Sequence, residues 1–478
     1  MLERVAVTVV SAKNEDYAFD MFESLNTTGE ALTAFETFKP KVIEAETLQH
    51  YEKSPSRKSL LEVEGYLDNF QGAQSKHNAT SSLLIPFALS ETGFKLSKRL
   101  SDQRSFLRDN FDKLDSLEKK RSFVKHLEHN SIFTRNIWNR GQDYSNENEF
   151  PNFKDKQPVE LALKVLKDIK HEISLAILVR FFSCYRLAVG QKAEQALFEL
   201  QEAIKACLAF FALWRGSRKD TDNIDSHYRN IMQEGIPEIN VPAFCRKMAS
   251  DSSEVISSKK LKEAFRYILR NHGEINNKAQ WVKKASIQAI YKAHGLCKFM
   301  LFAATHDTQP DSSGLGFTQK SKKNTLNILN KEMWGNDWTI EHVCPQKRMS
   351  DGWDYAIYDN AELVDYLGNL TLVPAIPNAV LSNKTWDEKR FIYRILSSPN
   401  LDSLKENLDE INNSEGKFTY FYNLTDNGES IINSAPFLPQ LKTICEIQGN
   451  WSPEVIKKRS ENMAENIWDR IVPWLDWD

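Results

Sequence analysis

The chain has 478 residues, 41% hydrophobic and 27% charged, a globular composition that excludes a disordered or fibrous protein. With 62 basic and 65 acidic side chains, the net charge of −3 excludes a strongly cationic nucleic-acid coat protein, although a phosphate-binding cleft needs only local positive charge. Only 18 glycines and 16 prolines in so long a chain argue for a mostly helical protein of several domains, not a large β-sandwich or a Gly-rich dinucleotide fold.

In chain order, residues 5–10 (Val-Ala-Val-Thr-Val-Val) form a β-branched run that predicts an edge strand. Phe19, Phe22 and Leu25 then recur at helical spacing, up to a stop at Asn26-Thr-Thr-Gly29. A second helix is expected after Thr33. From about 45 to 310 the pattern is helical, with long apolar stretches at 161–182 and 194–214 separated at Gly190. Polar segments 145–156, 217–225 and 307–316 predict loops. No fixed-period repeat is present. His126 and His129 have the i, i+3 spacing of a helical metal pair, yet Lys125 and Glu128 beside them suggest a solvated face. Residues 91–140 carry a +5 excess, read as an interleaved solvated surface. Six scattered cysteines without a C-x-x-C pair argue against a zinc knuckle and a disulfide framework, and fit a reducing cytoplasm. No run approaches the apolar length of a membrane span.

Near residue 335 the texture changes. Eight of the eleven tryptophans follow residue 330, and they are expected in the core. Short strands are predicted at 338–343 and 369–373, with a helix at 387–396 and an amphipathic helix at 453–474. Residues 401–478 hold 7 basic and 14 acidic side chains, which leaves the first 400 residues mildly basic. Lys320, Lys322 and Lys323 precede the first of these strands; they suit a basic loop near a nucleic acid and a merely solvated loop equally well.

The chemistry-bearing stretch is Ile340-Glu-His-Val-Cys-Pro-Gln346, then Leu367-Gly-Asn-Leu-Thr-Leu372, then Pro377-Asn-Ala-Val-Leu-Ser-Asn-Lys384. It offers a carboxylate beside a histidine at a strand end, an asparagine opening the next strand, and an asparagine leading a helix. That order is a ββα-metal arrangement. Phosphodiester hydrolysis needs an activated water and charge neutralisation at phosphorus. An imidazole can take a proton from water at neutral pH, and one Mg²⁺ held by a carboxylate and an amide oxygen can clamp a phosphate. Neighbouring strand residues face opposite sides, so Glu341 and His342 share a site only where the strand twists or ends, and Pro345 predicts an end.

Together with Gly368-Asn-Leu-Thr-Leu372, Asn378, Leu381-Ser-Asn-Lys384 and Lys389-Arg390, this segment resembles the HNH nuclease domain of GmrSD-type, modification-dependent restriction endonucleases. The resemblance implies His342 as general base, Glu341 and Asn378 as ligands of one Mg²⁺ (or Mn²⁺), and Asn369 as the residue that ties the loop to the histidine strand. Asn383 is a rival ligand. Lys384 and Lys389 are implied as phosphate contacts, double-stranded DNA as substrate, and Trp353 and Tyr366 as packing that holds the loop between Glu341 and Asn369 without zinc.

Residues 22–32 and 35–39 also resemble the end of that family's ParB-like, nucleotide-dependent N-terminal domain, and residues 211–225 its helical region more loosely. The family's Asp-Gly-Gln-Gln-Arg motif is missing, so no nucleotide cofactor is expected in this chain alone. A second polypeptide supplying that half, or a start displaced by truncation, would account for it. The expected fold is mainly α with a small α+β part. A ParB-like remnant (1–45) precedes a helical domain (46–315), an HNH ββα-metal nuclease domain (316–400) and an acidic helical cap (401–478). The expected activity is Mg²⁺-dependent endonuclease cleavage of foreign DNA, base-modified DNA included. A non-catalytic DNA- or effector-binding subunit and an RNA-directed toxin-like nuclease are the alternatives.

Overall fold

A computed structural model describes residues 32–246, 256–312, 316–321, 328–335, 337–348, 352–400, 402–404, 406–407, 438–447 and 449–477. The expected strand at 5–10, the helix ending at Gly29, and Lys322 and Lys323 lie outside the described residues. The fold is mostly helical, with two two-stranded sheets among the described residues, as the low Gly and Pro content implies. The chain packs as two compact units that interleave in sequence: residues 1–152, 172–200 and 228–256, and residues 153–171, 201–227 and 257–478.

Among the described residues, the first helix of the first unit is Ala34–Glu46, begun where the sequence expects it. Thr33 accepts from the Glu36 amide while the Glu36 side chain accepts from the Thr33 amide, a reciprocal cap. Phe35, Phe38 and Val42 form the buried stripe of this helix. The core of the unit is aromatic: Phe38 packs edge-on to Phe111, and Phe87 to Phe123, each with ring centres 5.1 Å apart. Helix Ala73–Thr92 ends at left-handed Gly93, where a Cβ would come within 2.7 Å of Gln233 Cα.

The helix Leu117–Ile132 corrects one expectation. His126 and His129 are not on a solvated face but buried, 2% and 1% exposed. His126 Nδ1 lies 2.9 Å from Glu91, which also binds Arg246, and His129 Nδ1 lies 2.9 Å from Ser183 Oγ. Glu128 is buried too, paired with Lys125 at 2.7 Å and bonded to Ser59. Burial drives both histidines below the ordinary imidazole pKa, to about 4 for His126 and about 2 for His129, so both stay neutral.

The apolar stretch 161–182 is shared between two helices. The chain forms Lys156–Asp168 and then Ser174–Leu187, with Lys170 left-handed at φ 56 between them. The next helix, Gln191–Gly216, begins directly after Gly190, as expected.

In the second unit the helix Pro453–Ile471 is central. Ser452 caps it, accepting from the Val455 amide; Pro453 takes the first helical position and Glu454 adds a negative charge to the first turn, where it suits the helix dipole. Ile456, Met463, Ile467 and Ile471 line its buried side. Trp468 meets Trp281 and Trp477, and Trp386 lies between Trp353 and Trp451, so the late tryptophans are mostly core residues. A side-chain ion pair ties Asp476 back to Lys262. Lys262 Nζ binds Glu202 at 2.6 Å and Asp476 at 3.0 Å.

Strands β1 (Thr308–Pro310) and β2 (Thr318–Lys320) form one small antiparallel sheet. Strands β3 (Trp338–His342) and β4 (Leu370–Pro374) form the other, with Glu341 opposite Thr371 and His342 opposite Leu370. The helices Ala375–Leu381 and Trp386–Leu396 follow. The second begins with a reciprocal cap between Thr385 and Glu388.

Candidate functional site

β3 ends at His342, and the ladder adds one more bond, from Val343 N to Asn369 O at 2.8 Å. Alternation along the strand sends adjacent side chains apart. Glu341 turns toward the Trp386–Leu396 helix, and His342 toward the loop that precedes β4.

On the Glu341 side, Lys389 Nζ donates to Glu341 Oε1 at 2.6 Å and to the His342 carbonyl at 2.7 Å. Tyr393 donates its hydroxyl to the same carboxylate oxygen at 3.1 Å. Glu341 is 4% exposed and Lys389 fully buried. Burial raises the Glu341 carboxyl above its ordinary pKa although Lys389 and Tyr393 pull it down. Lys389 is therefore not the surface phosphate contact that the resemblance implied; its ammonium is committed to the strand.

The expected metal pair is not assembled. A cation at Glu341 would have to displace the Lys389 ammonium. Asn378 donates instead to Thr339 Oγ1 at 2.7 Å and the Ile340 carbonyl at 3.2 Å. These side chains as arranged do not fit a divalent ion. Among the described residues, no group of three His, Cys, Asp or Glu side chains could hold a metal. None of the six cysteines forms a disulfide. Asn383 is exposed in the turn after Leu381, and Lys384 is half-buried, its carbonyl accepting from Trp353 Nε1 at 3.2 Å. Trp353 and Tyr366 are buried in and beside the loop they were expected to brace.

On the His342 side, Nε2 lies 3.1 Å from Asp365 Oδ1. Gln346 Nε2 donates to that same oxygen at 3.0 Å. The Tyr291 ring stands edge-on to the imidazole, with centres 4.3 Å apart. Both members of the pair are mostly buried yet reach solvent, with His342 11% and Asp365 10% exposed at the side chain. Burial raises Asp365, but hydrogen bonds from His342 and Gln346, then the charges of His342 and Lys292, outweigh it and hold the carboxyl below its usual range.

Asn369 joins the two halves. Its Oδ1 accepts from Cys344 N and Trp451 Nε1, each at 2.9 Å. Its Nδ2 donates to the carbonyls of Cys344 and Val364, each at 2.8 Å. Val364 precedes Asp365, and Cys344 lies two residues past His342, so one fully buried amide pins both flanks of the pair. Gly368 beside it must lack a side chain: a Cβ would fall 1.9 Å from the Ile456 carbonyl. Its amide donates to Ser460 Oγ at 2.8 Å, and Arg459 binds its carbonyl.

Of the expected residues, His342 and Asn369 thus belong to one cluster, while Glu341, Asn378 and Lys389 brace the opposite side of the strand. Sequence reading missed Asp365 and Tyr291. Asp365 is four residues before Asn369, a proximity that hinted at it; Tyr291 carried no local signal. Gln346 was visible inside the motif without a role.

A protein-family model described as GmrSD restriction endonucleases, C-terminal domain, matches residues 246–466. No curated protein matches the chain. Among the described residues no helix is long and apolar enough to cross a membrane. The matched segment holds His342, Asp365 and Asn369, so over residues 246–466 the chain is similar to the C-terminal domain of the GmrSD restriction endonucleases.

Proposed function

We propose that this chain is an HNH-type endonuclease that hydrolyses DNA phosphodiesters with His342 as general base, in defence against foreign DNA that includes base-modified DNA. The observation that carries this reading is a solvent-reaching histidine at the end of a ββα hairpin, within the segment matched by a restriction endonuclease family. An imidazole there can accept a proton from water as the water oxygen bonds to phosphorus. The phosphorus–oxygen bond to the leaving 3′ oxygen breaks, and that oxygen takes a proton from solvent. Asn369 keeps the base on a rigid strand end.

Mg²⁺ or Mn²⁺ belongs to the proposal as a requirement to be measured. No step is assigned to it, because the Glu341 carboxylate is engaged by Lys389. The test incubates the purified full chain with modified phage DNA, unmodified DNA and RNA, each with Mg²⁺, Mn²⁺ or a chelator. Cleavage of DNA that depends on His342 is expected. Cleavage of RNA alone would replace the substrate class, and DNA binding without any cleavage would reduce the chain to a recognition subunit.

A further inference from the structure

We infer that Asp365 is the positioning residue of the nuclease site: it takes the Nε2 proton of His342 as a hydrogen bond and so leaves Nδ1 as the nitrogen that meets the attacking water. The inference rests on the reading of His342 as the base and adds a residue that neither the motif nor the family match assigns.

Neutral imidazole carries one N–H and one lone pair, and the partner of one nitrogen decides the role of the other. Here the partner of Nε2 is a carboxylate oxygen at 3.1 Å, and an ionised carboxylate only accepts. The proton therefore sits on Nε2. When Nδ1 takes a proton from water, the imidazolium that forms faces a negative charge already in place, needing no reorganisation.

Three features make the carboxylate a fixed partner. Gln346 donates to the same oxygen, so Asp365 cannot rotate away without losing a second bond. Asn369 anchors Val364 and Cys344 together, which sets the spacing between the loop and the strand end. The Tyr291 ring closes one side of the imidazole and limits its tilt. Other charged or titratable groups nearby include Lys292 beside Tyr291, the buried Cys297 thiol near Asp365 and Tyr291, His294 against the Tyr291 ring, Lys389 at the His342 carbonyl, and Glu341 on the far side of the strand. The hydrogen bonds of Lys389 and Glu341 run to each other, to Tyr393 and to that carbonyl, away from the imidazole nitrogens.

The decisive variant is Asp365→Asn, which keeps the shape and an acceptor oxygen but removes the charge and can offer an N–H instead. Gln346→Ala is the second variant, since Gln346 is exposed and its loss spares the fold. The measurements are single-turnover cleavage of a labelled DNA duplex, binding of that duplex, and the ¹⁵N shifts of the His342 ring, assigned by their absence from His342→Ala. For Asp365→Asn we expect cleavage to fall ~10²-fold or more, with duplex binding unchanged and the Nε2–H tautomer signature lost. Gln346→Ala should lower cleavage less, with the tautomer retained. If Asp365→Asn keeps both the rate and the tautomer while His342→Ala is inactive, the inference is overturned and the reading of His342 stands. If His342→Ala cleaves normally, both fall.

Discussion

Two buried residues, Asn369 and Lys389, hold the end of β3 from opposite sides. Asn369 makes four hydrogen bonds from a fully buried amide, and removing the side chain strands the amide of Cys344 and the indole N–H of Trp451. An unsatisfied buried polar group costs about 1–3 kcal/mol, so Asn369→Ala should lower stability by roughly 2–5 kcal/mol, read as a drop in the urea midpoint of the second unit. Breaking the Lys389–Glu341 pair should be as severe. Lys389→Met leaves a buried carboxylate without its cation, at a cost of about 3–5 kcal/mol, whereas Lys389→Met combined with Glu341→Leu should recover much of that loss. A double-mutant cycle by chemical unfolding measures it. A single Lys389→Met variant as stable as the parent would mean that the carboxylate has another partner, a bound cation among the candidates. The role of Lys389 was readable in part: it falls on the same helical face as Trp386, Tyr393 and Leu396, which are all buried. A lysine on an apolar stripe needs a buried acid, and the nearest strand supplies Glu341.

At the scale of elements, the hairpin stands on the close approach of the Pro453–Ile471 helix to the turn before β4. Gly368→Ala would drive a methyl into the Ile456 carbonyl, and neither backbone can yield cheaply. The variant should be strongly destabilised, with the near-ultraviolet tryptophan signal perturbed, because the same helix packs Trp468. An alanine variant with an unchanged melting profile would show that the helix can move away. The two strands and the following helix of this region were legible in the sequence because they depend on local features, with Pro345 marking the end of the first strand. Asn369 was legible because it opens the partner strand. Asp365 was not, since its pairing with His342 is closed by a loop whose path depends on Trp353, Tyr366 and Trp451 packing elsewhere. His126 and His129 were misread for a related reason. Charged neighbours suggested water, but Phe123, His126, Leu127 and Asn130 share the buried stripe, and Glu91 and Ser183 come from distant segments.

For the whole molecule, buried neutral histidines set the response to acid. His126 is held to about 4, His129 to about 2 and His171 to about 3, in each case chiefly by burial. The unfolded chain takes up these protons near pH ~6.5 and the folded chain does not, so stability is full above that value and declines as pH falls below it. Each histidine contributes about 1.4 kcal/mol per pH unit until its folded pKa is reached. Glu91 adds a second loss at lower pH. Burial opposes its charge, but His126 and Arg246 hold it to about 2, so its contribution fades as pH falls from the ordinary carboxylate range toward that value. Unfolding midpoints should therefore drop steeply between pH ~6.5 and ~5, where most carboxylates are still ionised; a flat profile there would mean that these imidazoles are protonated in the folded state. The central claim is tested most directly by single-turnover cleavage of a DNA duplex by the parent and by His342→Ala at matched binding. The expected result is equal duplex binding and loss of cleavage by ~10²–10⁴-fold in the variant. Cleavage by His342→Ala at the parent rate would contradict it.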